Sequence, residues 1–64
     1  MKIGIKIREE RVKNGLSQRL LAKKSGISNT YLSDIEVGRT LPSVSTLLKI
    51  SKSLGKDISI FLKE

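Results

Sequence analysis

The residues best placed to do chemistry in this 64-residue chain are polar ones at helical spacing: Asn29, Thr30, Ser33 and Asp34, lying between Gly26 and Gly38. Asn29 and Ser33 are four apart, as are Thr30 and Asp34, so a helix would stack the four along one face. What that face offers is hydrogen bonding. The Asn29 amide donates and accepts at once, Thr30 and Ser33 carry hydroxyls, and Asp34 only accepts. Covalent chemistry has little support. The chain has no histidine and no cysteine, and its six carboxylates show no clustered acid/base arrangement. Ser17, Ser28 and Ser43 sit where helix caps belong, with no base at hand. The usual Cys/His zinc sites and disulfides are equally excluded. No cofactor, metal or enzymatic activity is expected.

Charge points the same way. Lys and Arg number 13 against 6 Asp and Glu, a net charge of +7 on a very small surface, which favours an anionic partner. Tyr31 and Phe61 are the only aromatic residues, too few and too far apart for a base-stacking platform. A duplex is therefore favoured over a single strand. No apolar run approaches the roughly 20 residues of a membrane span, and the N-terminus lacks the apolar stretch of a signal peptide. A cytoplasmic protein with no membrane partner is expected.

The elements that must position the polar face are five helices, punctuated by Gly15, Gly26, Gly38, Pro42 and Gly55. The first spans Ile3 to Lys13, closes at Asn14-Gly15 and has Ile3, Ile7 and Glu10 on one face. The second follows the capping Ser17, carries Leu20, Leu21 and Ala22 inward and stops near Ser25-Gly26. The third spans Asn29 to Val37, capped by Ser28, with Leu32 and Ile35 toward the core. The fourth starts at Pro42-Ser43 and places Val44, Leu47, Leu48, Ser51 and Leu54 on its apolar stripe. Asp57 caps a short fifth helix in which Ile58, Phe61 and Leu62 cover the open end of the core. All 64 residues read as one domain, with no repeat or linker.

Gln18 to Val37 has the spacing of two helices joined by a tight turn and crossing steeply. Ala22 is small where the helices approach, Gly26 suits a positive φ in the turn, and Leu21, Ile27, Leu32 and Ile35 fix the angle. Here the sequence resembles the phage lambda repressor and Cro family of helix-turn-helix regulators along essentially its whole length. The matching stretches are Gly15-Leu16-Ser17-Gln18, Leu21-Ala22, Ser25-Gly26-Ile27-Ser28, Tyr31-Leu32-Ser33, Ile35-Glu36, Gly38, Pro42-Ser43 and Leu47-Leu48-Lys49-Ile50. The resemblance implies an all-α, compact five-helix domain that binds double-stranded DNA as a transcriptional regulator, probing the major groove with its third helix.

By the same resemblance, Ser28, Asn29, Thr30, Ser33 and Asp34 form the base-reading surface. Asn29 suits the N6/N7 edge of adenine, and Thr30 a thymine methyl. Asp34 can accept from cytosine N4 but is repelled by phosphates. Gln18 is expected to touch a phosphate and brace Asn29. Arg39, Thr40 and Ser43 are expected to grip the backbone, with Arg19 adding charge and the Tyr31 hydroxyl free to reach a phosphate. Arg11 and Glu36 occupy positions that in the family form a partly buried ion pair.

Three departures from the pattern stand out. Glu10 replaces a commonly apolar residue, so either the core is thinner there or Glu10 tilts to solvent. Ile5 and Val12 lie opposite Ile3 and Ile7, hence exposed, and Ile60 stands where relatives are often polar. Ile60 and Leu41 are expected to join a homodimer contact that sets two recognition helices ~34 Å apart on a partly palindromic site. The alternative is a protein-interaction module on the same fold, such as an antitoxin bound to a toxin partner; a restriction-modification controller would share the DNA-binding chemistry.

Overall fold

The computed structural model describes residues 2–62, and among them every regular element is helical: α1 Ile3–Lys13, α2 Gln18–Ser25, α3 Asn29–Glu36, α4 Val44–Leu54 and α5 Ser59–Leu62. Three of the starts are set by serine. Ser17, Ser28 and Ser43 each accept a hydrogen bond from the amide three residues on, at Leu20, Tyr31 and Thr46. This satisfies one of the first amides, which have no partner inside the helix. α2 ends in a left-handed Gly26, φ 70°, and the Ile27 amide returns to the Ala22 carbonyl. Val37 follows α3 as its C-terminal cap rather than its last turn. α5 begins at Ser59, two residues after Asp57, whose carboxylate accepts from the Ser59 amide at 2.9 Å. That bond, with the Ser59 hydroxyl, holds Asp57 below its ordinary pKa.

Ile3, Ile7, Leu21, Ala22, Leu32, Ile35, Leu47, Ile50, Leu54 and Phe61 make one buried cluster. Its membership corrects several expectations. Leu20 is exposed, because Leu20 to Ala22 spans ~200° around a helix and Leu21, Ala22 and Ser25 already define the inward side of α2. On α4 the buried side is Thr46, Leu47, Ile50, Ser51 and Leu54. Val44 and Leu48 lie a quarter-turn or more from its centre and are exposed. Phe61 seals the end of the core, whereas Leu62 points outward.

Glu10 is buried, at 5% exposure. Lys6, Lys13 and Lys56 surround its carboxylate at 3.3, 3.7 and 3.9 Å, so one acid ties α1 to the turn after α4. Burial pushes the Glu10 carboxyl up, but the Lys6 hydrogen bond and the charges of Lys13, Lys6 and Lys56 outweigh it and hold the carboxyl below its ordinary pKa. A second polar tie joins α2 to α4, where the Ser25 and Ser53 hydroxyls meet at 3.1 Å.

Candidate nucleic-acid interface

α3 divides cleanly into two sides. Leu32, Ile35 and Glu36 are buried, while Asn29 and Thr30 are exposed and Ser33 and Asp34 half-exposed. The core thus grips one side of the helix and leaves the other as a polar surface. Ser28 is exposed but uses its hydroxyl oxygen on the Tyr31 amide, so its first task is to start the helix. Tyr31 is half-buried and packs against the core.

What holds α3 against its neighbours is a hydrogen-bonded group around Glu36. Arg11 Nε donates to Glu36 Oε2 at 2.8 Å and Nη2 to Oε1 at 3.0 Å, a two-pronged pairing that suits a planar guanidinium. Arg11 Nη1 also donates to the Leu16 carbonyl at 2.9 Å. The side chains are 13% and 3% exposed, so both charges depend on each other for solvation. Gln18 completes the group: its amide donates to Glu36 Oε1 at 3.2 Å. The expected partner of Gln18, Asn29, is not the one found. Gln18 opens α2, and its Nε2 meets the Glu36 carboxylate that Arg11 already holds in place. Its remaining N–H and its oxygen are left for an outside ligand.

Gly4 is a positioning residue that helical periodicity did not single out. A Cβ on it would fall onto the Ile35 carbonyl oxygen and press on Glu36 O at 3.0 Å. Only a glycine lets the first turn of α1 approach the last turn of α3 so closely. The signal was a glycine inside an otherwise good helix.

The remaining candidates lie around the α3–α4 loop. Arg39 is exposed and donates to Asp34 Oδ1 at 3.0 Å. Thr40 is half-buried with its amide on the Asp34 carbonyl, and Ser43 caps α4 while donating to the Thr46 hydroxyl. Arg19 is exposed on α2. The first turns of α2, α3 and α4 contain no acidic residue. With the serine caps serving one amide each, further N–H groups at each start remain open to an anion, where the helix dipole favours negative charge. Leu41 is 68% exposed. Ile60, by contrast, is half-buried and packs against the core beside the buried Phe61, on the short α5 that lies against α1. It is not the free apolar residue the sequence suggested.

With this geometry in place, likeness to known proteins is specific. A family model described as helix-turn-helix matches residues 7–61. The ImmF control region 10 kDa protein of Bacillus phage phi105 is 44% identical over 59 residues, covering 92% of this chain and 66% of that protein. The chain spans less than two thirds of such relatives, down to 33% of their length. The fold is similar to the DNA-binding domain of the P22 c2 repressor in solution, with a TM-score of 0.94 and 35% identity over 98% of this chain and 83% of that one. It is also similar to the P22 c2 repressor in complex with a synthetic operator, at a TM-score of 0.90 and 35% identity over 98% and 96% of the two chains.

Proposed function

This chain belongs to the helix-turn-helix family, in its lambda repressor and Cro-like branch, and on that premise we propose that it binds duplex DNA sequence-specifically as a transcriptional repressor. The observation that carries the reading is the division of α3: its apolar side and Glu36 are locked into the core while Asn29, Thr30, Ser33 and Asp34 face outward. A rigid helix with such a surface is what the major groove admits and reads. Residues 1–64 serve as one DNA-binding domain. Asn29 supplies base readout, Ser28, Thr30, Ser33 and Asp34 shape the rest of that surface, and Gln18, Arg19, Tyr31, Arg39, Thr40 and Ser43 address the backbone. The net charge of +7 adds a sequence-independent attraction that falls with salt.

The polar surface of α3 is small, so affinity gains from two copies. A homodimer through α5 and the neighbouring loop, with Leu41 and Leu62 supplying exposed apolar surface, would bind a partly palindromic operator. No helix among the described residues is long and apolar enough to cross a membrane, which is compatible with action in the cytoplasm. Selection of bound sequences from a random duplex library tests the reading. We expect a defined site with two related halves, and Asn29→Ala to weaken binding to that site by about 1 to 3 kcal/mol while sparing random duplex. Equal losses on both DNAs would refute base reading by Asn29.

A further inference from the structure

Asp34 and Arg39 face each other across the end of α3. The backbone reverses there through Gly38, φ 82°. The Arg39 amide then donates to the Asp34 carbonyl at 2.8 Å, and the Thr40 amide to the same oxygen at 3.3 Å. This reversal delivers the guanidinium to the carboxylate, Arg39 Nη1 to Asp34 Oδ1 at 3.0 Å. The Asp34 side chain is 30% exposed and that of Arg39 75%. The pair thus joins the polar surface of α3 to the cation expected to meet a phosphate, and each member has a competing partner on DNA.

We propose that Asp34 is a specificity-determining residue that works by holding Arg39: the guanidinium leaves for a phosphate only where the DNA offers Asp34 a replacement donor, the amino group of cytosine. The proposal rests on the DNA-binding reading above. Facing guanine O6 and N7 or thymine O4, a carboxylate released by Arg39 would sit among acceptors. Arg39 therefore stays on Asp34, and one phosphate contact is missing. Facing cytosine, the N4 amino group donates to Asp34, the ion pair is replaced and Arg39 is free to reach the backbone. Adenine also carries an amino group, but its N7 acceptor lies beside it and repels the second carboxylate oxygen. The only other charged residue on α3 is Glu36, which is buried and already paired. The exchange is therefore local to Asp34 and Arg39.

The test is a double-mutant cycle on the whole chain. Fluorescence anisotropy would follow binding of wild type, Asp34→Asn, Arg39→Ala and the double variant to random duplex and to the selected operator over a range of salt. Thermal melts confirm that each variant is folded, which substitutions at an exposed Arg39 and a half-exposed Asp34 should allow. Asp34→Asn is expected to tighten binding to random duplex roughly 1.5- to 5-fold, the range of an exposed ion pair. Its salt dependence should steepen by about 0.9 in log–log slope, one phosphate contact. In the Arg39→Ala background the steeper slope should disappear and the gain should shrink to what removal of a carboxylate near phosphates gives. Arg39→Ala alone should weaken operator binding more than random-duplex binding, where it removes one unit of the general charge attraction but no direct phosphate contact. Selection with Asp34→Asn should lose a cytosine preference at one position per half-site. The same gain in both backgrounds, or an unchanged base preference, would overturn the proposal, because Asp34 would then act only by repelling phosphates. Failure of wild type to bind any duplex would remove the DNA-binding reading itself, whereas binding with an additive cycle removes this proposal alone.

Discussion

Replacing Gly4 by alanine sets two physical effects against each other. In a helix, alanine is favoured over glycine by at most about 1 kcal/mol, so propensity predicts a more stable protein. The surroundings predict the reverse. The added Cβ meets the Ile35 carbonyl oxygen, with the Ile35 carbonyl carbon at 3.1 Å and Glu36 O at 3.0 Å. These are backbone atoms in the last turn of α3 and cannot swing aside as a side chain would. Relief requires α1 to lift from α3, and overpacking of this kind costs about 1 to 3 kcal/mol. Because the contact is with unyielding backbone, the upper part of that range, about 2 to 3 kcal/mol, applies, and less the propensity gain the net loss is about 1 to 2 kcal/mol. That is a large share of the ~3 to 10 kcal/mol expected of a domain this size. At 4 to 8 °C per kcal/mol, the melting midpoint should fall by roughly 4 to 16 °C. Far-UV circular dichroism melts would measure it, with Ile5→Ala as a control. Ile5 is exposed on the other side of α1, and its loss should cost no more than about 0.5 kcal/mol. A Gly4→Ala midpoint equal to or above wild type would refute the close approach.

Glu36→Met should destabilise by about 3 to 5 kcal/mol, because it leaves the Arg11 guanidinium buried without its partner; Arg11→Met/Glu36→Met should be more stable than Glu36→Met in urea denaturation, and simple addition of the two single losses would count against the pairing argument. Glu10 has its pKa lowered in the folded state, so its stabilising contribution is complete above the unfolded value and is lost as pH falls through the folded one. Melting midpoints of Glu10→Gln followed from neutral pH to below 4.5 should therefore decline less steeply than those of wild type, and parallel curves would show that the three lysines do not hold the acid.

Much of this fold is written locally. The serine caps, the glycines after α2 and α4 and the stripe of α1 depend on residues within a turn or two, and the helix limits follow from them to within a residue or two. What escaped the sequence depends on distant partners. Leu20, Val44 and Leu48 lie beside inward-facing positions, and only the direction from which α2 and α4 meet their neighbours decides that they stay outside. Glu10 looked like a defect in α1 because Lys56, from the turn beyond α4, is far away in sequence. The resemblance gives Gln18 a partner on the near end of α3, yet the crossing of the helices presents Glu36 instead. Gly4 shows the same limit: its need for a hydrogen in place of a side chain comes from carbonyls more than thirty residues on.

The two-sided character of α3 has a consequence for how this protein can change. Leu32, Ile35 and Glu36 carry the helix's debt to the fold, whereas Asn29, Thr30 and Ser33 contribute little to it. New combinations at the outer positions can be sampled with little risk of unfolding, so lineages can drift to different target sequences on one inherited scaffold, and two copies in one genome can become mutually indifferent by a few substitutions. Asp34 is the exception, since altering it also releases Arg39. A designer grafting a foreign reading surface onto this helix would do best to transplant positions 34 and 39 as a unit.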